Sequence, residues 1–311
     1  MTRILFYLDG YPHDMWRSAM LQADPAIDFR SYPDWGSPDN GPAYAFVWEP
    51  KPGILKEYPN IQAIFSLGAG VDHILADPDV PNVPIIRMGD DGLKEGMAEY
   101  ILMNVLMHHR QMPLFLAQQH NNIWKRAFSR PAKSVRVGIM GYGALGKCAA
   151  VALKPLGYDI AAWSYSPKAC EDKVDHFTGP MALGDFLART DILVGLLPET
   201  EATRGLLDDT RLTLLPEGAA IISAGRGSLI PLEALHKHLE SGHLSGVTLD
   251  VVPEEPLPED HWLWHHPKVI ITPHIAAITR ADTAAHYILE NIKRMETGQL
   301  PENMLDKNRG Y

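Results

Sequence analysis

The stretch RVGIMGYGALGKCAAVALKPLGYDIAAWS, residues 136–164, decides the fold. An apolar run from Val135 to Met140 leads into Gly141-x-Gly143-x-x-Gly146; alanine-rich sequence follows, and a second apolar run covers Tyr158 to Trp163. That order predicts a strand, a glycine turn, a helix and a second strand. Each glycine has its own job. Gly141 permits a tight turn, Gly143 lets backbone approach a pyrophosphate, and Gly146 lets the helix lie close to the strand. The helix N-terminus then offers N–H groups and a positive dipole end to an anion. In this context Gly141, Tyr142, Gly143, Ala144, Leu145 and Gly146 are expected to bind a dinucleotide.

Outward from this stretch the same pattern recurs. On the N-terminal side, Ile4–Leu8, Tyr44–Val47, Ile61–Ser66 and Ile85–Met88 read as strands and Met15–Leu21 as a short helix, predicting a small parallel α/β unit. Lys94 to Met112 is apolar nearly all round, which predicts a helix buried on most faces, between domains or against a partner subunit. On the C-terminal side, Asp191–Leu197, Ala219–Ser223, Gly246–Leu249 and Val269–Thr272 read as strands, and Arg280–Met295 as an amphipathic helix. The expected fold class is α/β, with two doubly wound parallel-sheet domains.

Composition narrows the function. The chain has 311 residues, is 46% hydrophobic and carries a formal net charge of −10, which argues against general affinity for nucleic acid or anionic membranes. Its two cysteines, Cys148 and Cys170, fit neither a disulfide framework nor a zinc site. Neighbouring His108 and His109 point to different helix faces, and His261, His265 and His266 are interleaved with Trp262, Trp264 and Pro267. No metal is expected at either place. The first residues, MTRILFYLDG, do not read as a signal peptide and no apolar run approaches a membrane span, so a cytoplasmic protein is expected.

In an open parallel sheet the carboxyl ends of the strands line the ligand crevice. Four such ends carry chemistry: Ser223-Ala224-Gly225-Arg226-Gly227; Asp250 through Glu254-Glu255-Pro256-Leu257-Pro258; Pro273-His274-Ile275-Ala276; and Gly68-Ala69-Gly70, whose amides can form an anion nest. With a nicotinamide cofactor these groups assemble a carbonyl reduction. Arg226 supplies a cation to hold and polarise the carbonyl, His274 an acid that titrates near physiological pH, and Glu255 a carboxylate favouring the protonated imidazole.

These motifs, in this order, resemble those of the D-isomer-specific 2-hydroxyacid dehydrogenases, over almost the whole chain. Within that family the finer likeness is to the reductases of glyoxylate and hydroxypyruvate. It rests on Val47-Trp48-Glu49-Pro50, Leu67-Gly68-Ala69-Gly70-Val71-Asp72, Trp264-His265-His266-Pro267, Thr272 through Arg280 and the terminal Arg309-Gly310-Tyr311. The resemblance implies a flavodoxin-like substrate domain formed by residues 1–98 and 277–311, and a Rossmann domain for NAD(P) over residues 99–276. It implies Arg226, Glu255 and His274 as catalytic residues and a substrate carboxylate on the Ala69 and Gly70 amides. Trp48 and Arg280 would border the substrate; Leu197, Pro198, Thr203, Ala224 and Gly225 would line the cofactor cleft, with Asp250 near the nicotinamide carboxamide. One departure stands out. The family usually has alanine where this chain has Gly225, and a missing methyl is expected to loosen that turn.

An NAD enzyme of this type carries an acid roughly 20 residues beyond the loop, at the end of the second strand. Here that position is Ser164, followed by Tyr165, Ser166 and, after Pro167, Lys168. Hydroxyls and a lysine suit a 2′-phosphate, so NADP (as NADPH) is expected, with NAD as the weaker alternative. The expected reaction reduces glyoxylate and hydroxypyruvate to glycolate and D-glycerate, His274 giving the proton, in a homodimer. A cofactor-sensing, corepressor-like binding protein and a methyltransferase with a related glycine turn remain as other readings of the fold.

Overall fold

The computed structural model describes residues 1–38, 41–167 and 174–306, which leaves Lys168, Cys170 and the terminal Arg309-Gly310-Tyr311 outside the described residues. In chain order the elements begin β1 (Arg3–Leu8), α1 (Asp14–Ala23), β2 (Asp28–Ser31), β3 (Ala43–Trp48), β4 (Ile61–Ser66), α2 (Asp72–Leu75) and β5 (Ile85–Ile86). There follow α3 (Asp91–His109), α4 (Met112–His120), β6 (Arg136–Met140), α5 (Ala144–Leu153), β7 (Asp159–Ser164), β8 (Asp175–Thr178), α6 (Leu183–Ala188) and β9 (Ile192–Gly195). The last are α7 (Asp209–Leu212), β10 (Ala219–Ser223), α8 (Leu232–Glu240), β11 (Leu244–Leu249), β12 (Val269–Ile271) and α9 (Ala281–Glu296).

The chain divides into two compact units, residues 1–93 with 278–311, and residues 94–277. These joins compare with the expected ones at 98/99 and 276/277. The first unit holds a parallel sheet of order β2-β1-β3-β4-β5, the flavodoxin-like arrangement. Side chains alternate across it. Leu5, Tyr7, Ala45, Val47 and Ile64 share one core with Trp35 and Leu55, while the ring of Phe6 on the other face meets Trp16, Phe29 and Phe46.

In the second unit seven parallel strands run β12-β11-β10-β9-β6-β7-β8. Counted from β6, that is the Rossmann order extended by one strand. Both faces are covered, as a doubly wound sheet requires. Met140, Trp163, Leu193, Ile221 and Leu249 lie in one core, and Val137, Ile139, Ala162, Val194 and Ile222 in the other, with Met97, Tyr100, Ile101 and Val105 of α3. Each fully buried aliphatic side chain contributes about 1.5–3 kcal/mol.

The strands β2 and β8 escape the sequence reading. Each has four residues and lies at a sheet edge, where one neighbour suffices and no apolar run is needed. The expected helix over 94–112 is also corrected. It starts at Asp91 and stops at His109, because Gln111 takes a left-handed conformation (φ +57°) and Pro113 opens α4 instead. Most of its faces are covered, Met97, Tyr100, Ile101, Asn104 and Val105 being buried, and one stripe with Met103 and Leu106 is exposed in the single chain.

Candidate active site

In the second unit the glycine turn is built as its sequence predicts. Gly141 has φ +106°, and a Cβ there would stand 2.7 Å from Leu196 O. At Gly146 a Cβ would meet Gly141 O at 2.2 Å, so only glycine lets α5 lie this close to the turn. Gly143 differs: no heavy atom of its surroundings comes within 4 Å of where its Cβ would be. It caps α5 and, being glycine, brings no side chain of its own to the first N–H groups of that helix. Open space before a ten-residue helix fits a pyrophosphate, by dipole and by donors.

The departure at Gly225 has a physical reason, opposite to the one expected. A Cβ there would lie 2.6 Å from Leu197 O and 3.0 Å from Leu197 N. The missing methyl therefore does not loosen the turn; it lets the ends of β9 and β10 close on each other, backbone to backbone. Gly227 does the same toward the next strand end, its would-be Cβ falling 2.0 Å from the Val252 carbonyl carbon. Between these glycines Arg226 is extended (φ −141°), half-buried, with Nη1 donating to Gly225 O at 2.8 Å. Past β9, Thr203 Oγ1 donates to Pro198 O at 2.7 Å and closes that loop, with Leu197 buried beside it.

At the end of β12, His274 has φ +54°, a left-handed conformation uncommon for a non-glycine residue. Its N–H bonds to Asp250 O (2.9 Å) and Thr272 O (3.0 Å). The imidazole Nδ1 lies 2.8 Å from Glu255 Oε2, and Glu255 Oε1 accepts from Val252 N at 3.1 Å. The hydrogen bond to Glu255 raises the imidazole pKa above its ordinary value; burial opposes the rise, the Glu255 and Asp250 charges add to it and the Arg226 charge subtracts. Burial pushes the Glu255 carboxyl up, but the His274 bond, the Val252 N–H and the His274 and Arg226 charges together hold it below its ordinary value. Each of the three groups thus sits in the field of the others.

Asp250, 2% exposed, spends its carboxylate on its own neighbourhood. Oδ1 accepts from Thr272 Oγ1 (2.6 Å) and Ile275 N (2.8 Å), and Oδ2 from Ala276 N (2.9 Å). At the end of β7, Ser164 is buried; its Oγ donates to Ser166 O at 2.7 Å and lies 2.8 Å from Nε2 of His176. A hydroxyl has one hydrogen, so Ser164 organises the strand end and Tyr165, 52% exposed, is the more accessible group there. Sequence reasoning missed His176, because β8 shows no strand pattern, and it missed the donors that gather on Asp250.

In the first unit the Gly68-Ala69-Gly70 turn is pinned by Ser66, whose Oγ donates to Gly70 O at 2.7 Å. A Cβ on Gly68 would meet the Trp48 ring at 2.6 Å, and Trp48 packs on His73 with centroids 4.4 Å apart. Among the described residues no backbone partner takes the N–H of Ala69 or Gly70. Thr279 Oγ1 donates to Leu67 O, and Arg280 Nη2 lies 3.3 Å from Asp282 Oδ2.

Residues 102–276 match the D-isomer specific 2-hydroxyacid dehydrogenase, NAD binding domain. The chain is 37% identical to glyoxylate/hydroxypyruvate reductase A of Klebsiella pneumoniae (strain 342), over 99% of both chains. Among solved structures, a D-isomer specific 2-hydroxyacid dehydrogenase from Xanthobacter autotrophicus Py2, in complex with NADPH and MES, is 40% identical with a TM-score of 0.95, covering 100% of this chain and 99% of that one. An NADPH-dependent glyoxylate/hydroxypyruvate reductase from Sinorhizobium meliloti, in complex with NADP and sulfate, is 33% identical over all of both chains, with a TM-score of 0.92. With its motifs in order, its two parallel sheets and these full-length likenesses, the chain belongs to the D-isomer specific 2-hydroxyacid dehydrogenase family and is an oxidoreductase.

Proposed function

We propose that this enzyme reduces glyoxylate and hydroxypyruvate with NADPH, giving glycolate and D-glycerate. The observation that carries the reading is the His274–Glu255 pair at 2.8 Å, with the Arg226 charge acting on both. The names of the relatives from Klebsiella pneumoniae and Sinorhizobium meliloti support the substrate class, and the latter's complex with NADP the cofactor. Gly141 through Gly146 and the α5 N-terminus would hold the pyrophosphate, with Leu197, Pro198, Thr203, Ala224 and Gly225 beside the rest of the cofactor. Tyr165 and Ser166, with Lys168 outside the described residues, would take the 2′-phosphate while Ser164 holds the strand end beneath them; no carboxylate among these residues repels it. When bound, NADPH supplies the hydride.

The protein's own groups do the rest. The Arg226 guanidinium draws electron density toward the carbonyl oxygen. The Ala69 and Gly70 N–H groups receive the carboxylate, with Trp48 and Arg280 bordering the substrate. With Nδ1 committed to Glu255, His274 delivers its proton from Nε2 to the forming alkoxide. Reduction needs His274 protonated, so its rate holds below the raised imidazole pKa and falls as pH rises through it.

We further propose a cytoplasmic homodimer. Support comes from apolar side chains exposed along one run of the second unit: Met103, Leu106, Leu114, Leu116, Ile123, Trp124 (99%) and Phe128 (86%). Among the described residues no helix is long and apolar enough to cross a membrane.

The test is a spectrophotometric one: NADPH oxidation on adding glyoxylate or hydroxypyruvate, at catalytic rate, beside a panel of larger 2-oxo acids. Tight NADPH binding without oxidation would overturn the reading in favour of a cofactor sensor. Sedimentation of the native protein at twice the chain mass, and of Trp124→Asp as a single chain, checks the dimer.

A further inference from the structure

Tyr100 on α3 is 7% exposed and far in sequence from every group of the proposed chemistry. Its hydroxyl nevertheless lies 2.6 Å from Thr272 Oγ1. Thr272 Oγ1 in turn donates to Asp250 Oδ1 at 2.6 Å. A threonine hydroxyl has one hydrogen, so with that hydrogen on Asp250 the tyrosine must be the donor to Thr272. Burial pushes the Tyr100 phenol up to about 12, against lowering by its bond to Thr272, so it keeps its proton at any working pH.

The chain of bonds has one direction and an end. Asp250 holds Ile275 N and Ala276 N with the same carboxylate, and its backbone carbonyl accepts from His274 N. These bonds bracket a residue at φ +54°, a conformation unfavourable for any side chain larger than glycine's, which persists only where its surroundings over-determine it. We propose that Tyr100 is a positioning residue for proton transfer: its hydroxyl, through Thr272 and Asp250, sets the turn that aims the His274 imidazole. The inference rests on the reading of His274 as proton donor. The phenol touches neither substrate nor cofactor in this role.

Phenylalanine keeps the ring that packs in the core and removes only the donor. In Tyr100→Phe, kcat for glyoxylate reduction is expected to fall about tenfold, with KM and the NADPH dissociation constant within about twofold, the pattern of a misaimed reacting group. Thr272→Val should lose as much and Thr272→Ser little. Because the two hydroxyls act in series, the double variant Tyr100→Phe/Thr272→Val should be no worse than Thr272→Val alone. A second readout needs no turnover: the imidazole titration of His274 by NMR on histidine-labelled protein. Among the described residues, the charges of Glu255, Arg226 and Asp250 act on this ring. A loosened turn weakens the bond to Glu255, so the titration of Tyr100→Phe should move down toward the ordinary imidazole value. Native kcat in Tyr100→Phe, losses that multiply in the double variant, or an unmoved His274 titration would each overturn the proposal. If the native protein shows no glyoxylate reduction, the proposed function falls by itself and the titration alone decides about Tyr100.

Discussion

Two parts of one sheet edge in the second unit are built to different standards. At the ends of β10, β11 and β12, bare glycine backbone lies against neighbouring backbone, Asp250 accepts from three donors, and His274 is bonded to Glu255. At the end of β7, Ser164 turns its hydroxyl inward to Ser166 and His176, leaving Tyr165 half-exposed. Proton transfer fails when donor and acceptor are misplaced by an ångström, so it demands a braced frame. Discrimination between a phosphate and a hydroxyl works through charge, which acts over longer distances and tolerates looser placement. The contrast follows the physical range of the forces each place would use.

The most damaging way to break the braced part is to remove its acid. Alanine is a poor choice, since it adds strain at φ +54°; asparagine tolerates that backbone. For His274→Asn, kcat is expected to fall by about 10²–10⁴-fold, with NADPH affinity by fluorescence titration nearly unchanged. Retained turnover would end the assignment. Glu255→Gln removes the negative charge from the acceptor whose hydrogen bond is the first cause of the raised His274 pKa, leaving a weaker neutral bond. The imidazole then loses its proton at lower pH, so the alkaline fall of kcat/KM for reduction should move to lower pH; a limb that stays put breaks the pair. Ser164→Asp sharpens the other part. A carboxylate beside a 2′-phosphate should lower the NADPH-to-NADH preference by about tenfold or more. An unchanged ratio would move the phosphate contact away from the end of β7 altogether.

Much of this was legible in the sequence, for definable reasons. The strands β4 and β10 are apolar runs with polar or glycine-rich stops, and their expected bounds are those observed. Gly141, Gly143 and Gly146 announce their roles because each needs a missing Cβ in a different way. The His274–Glu255 bond could be anticipated from residue types at strand ends. What could not be read depends on contacts remote in sequence. Tyr100 looks like one more apolar position on a helix, and only the fold brings its hydroxyl to Thr272. His176 hides in an edge strand without an apolar pattern. At Gly225 the local turn is no guide, because the backbone that fills the space of its methyl belongs to Leu196 and Leu197.

That last contact has a consequence for exchanging sequence among relatives. Gly141 and Gly225 both face the Leu196–Leu197 backbone, from the ends of two different strands. The three loops therefore form a single inheritable module, in which the space at position 225 and the path of residues 196–197 must change together. A chimera that imports alanine at 225 without its matching β9 loop carries half of a fitted joint, whatever the similarity of the parents elsewhere.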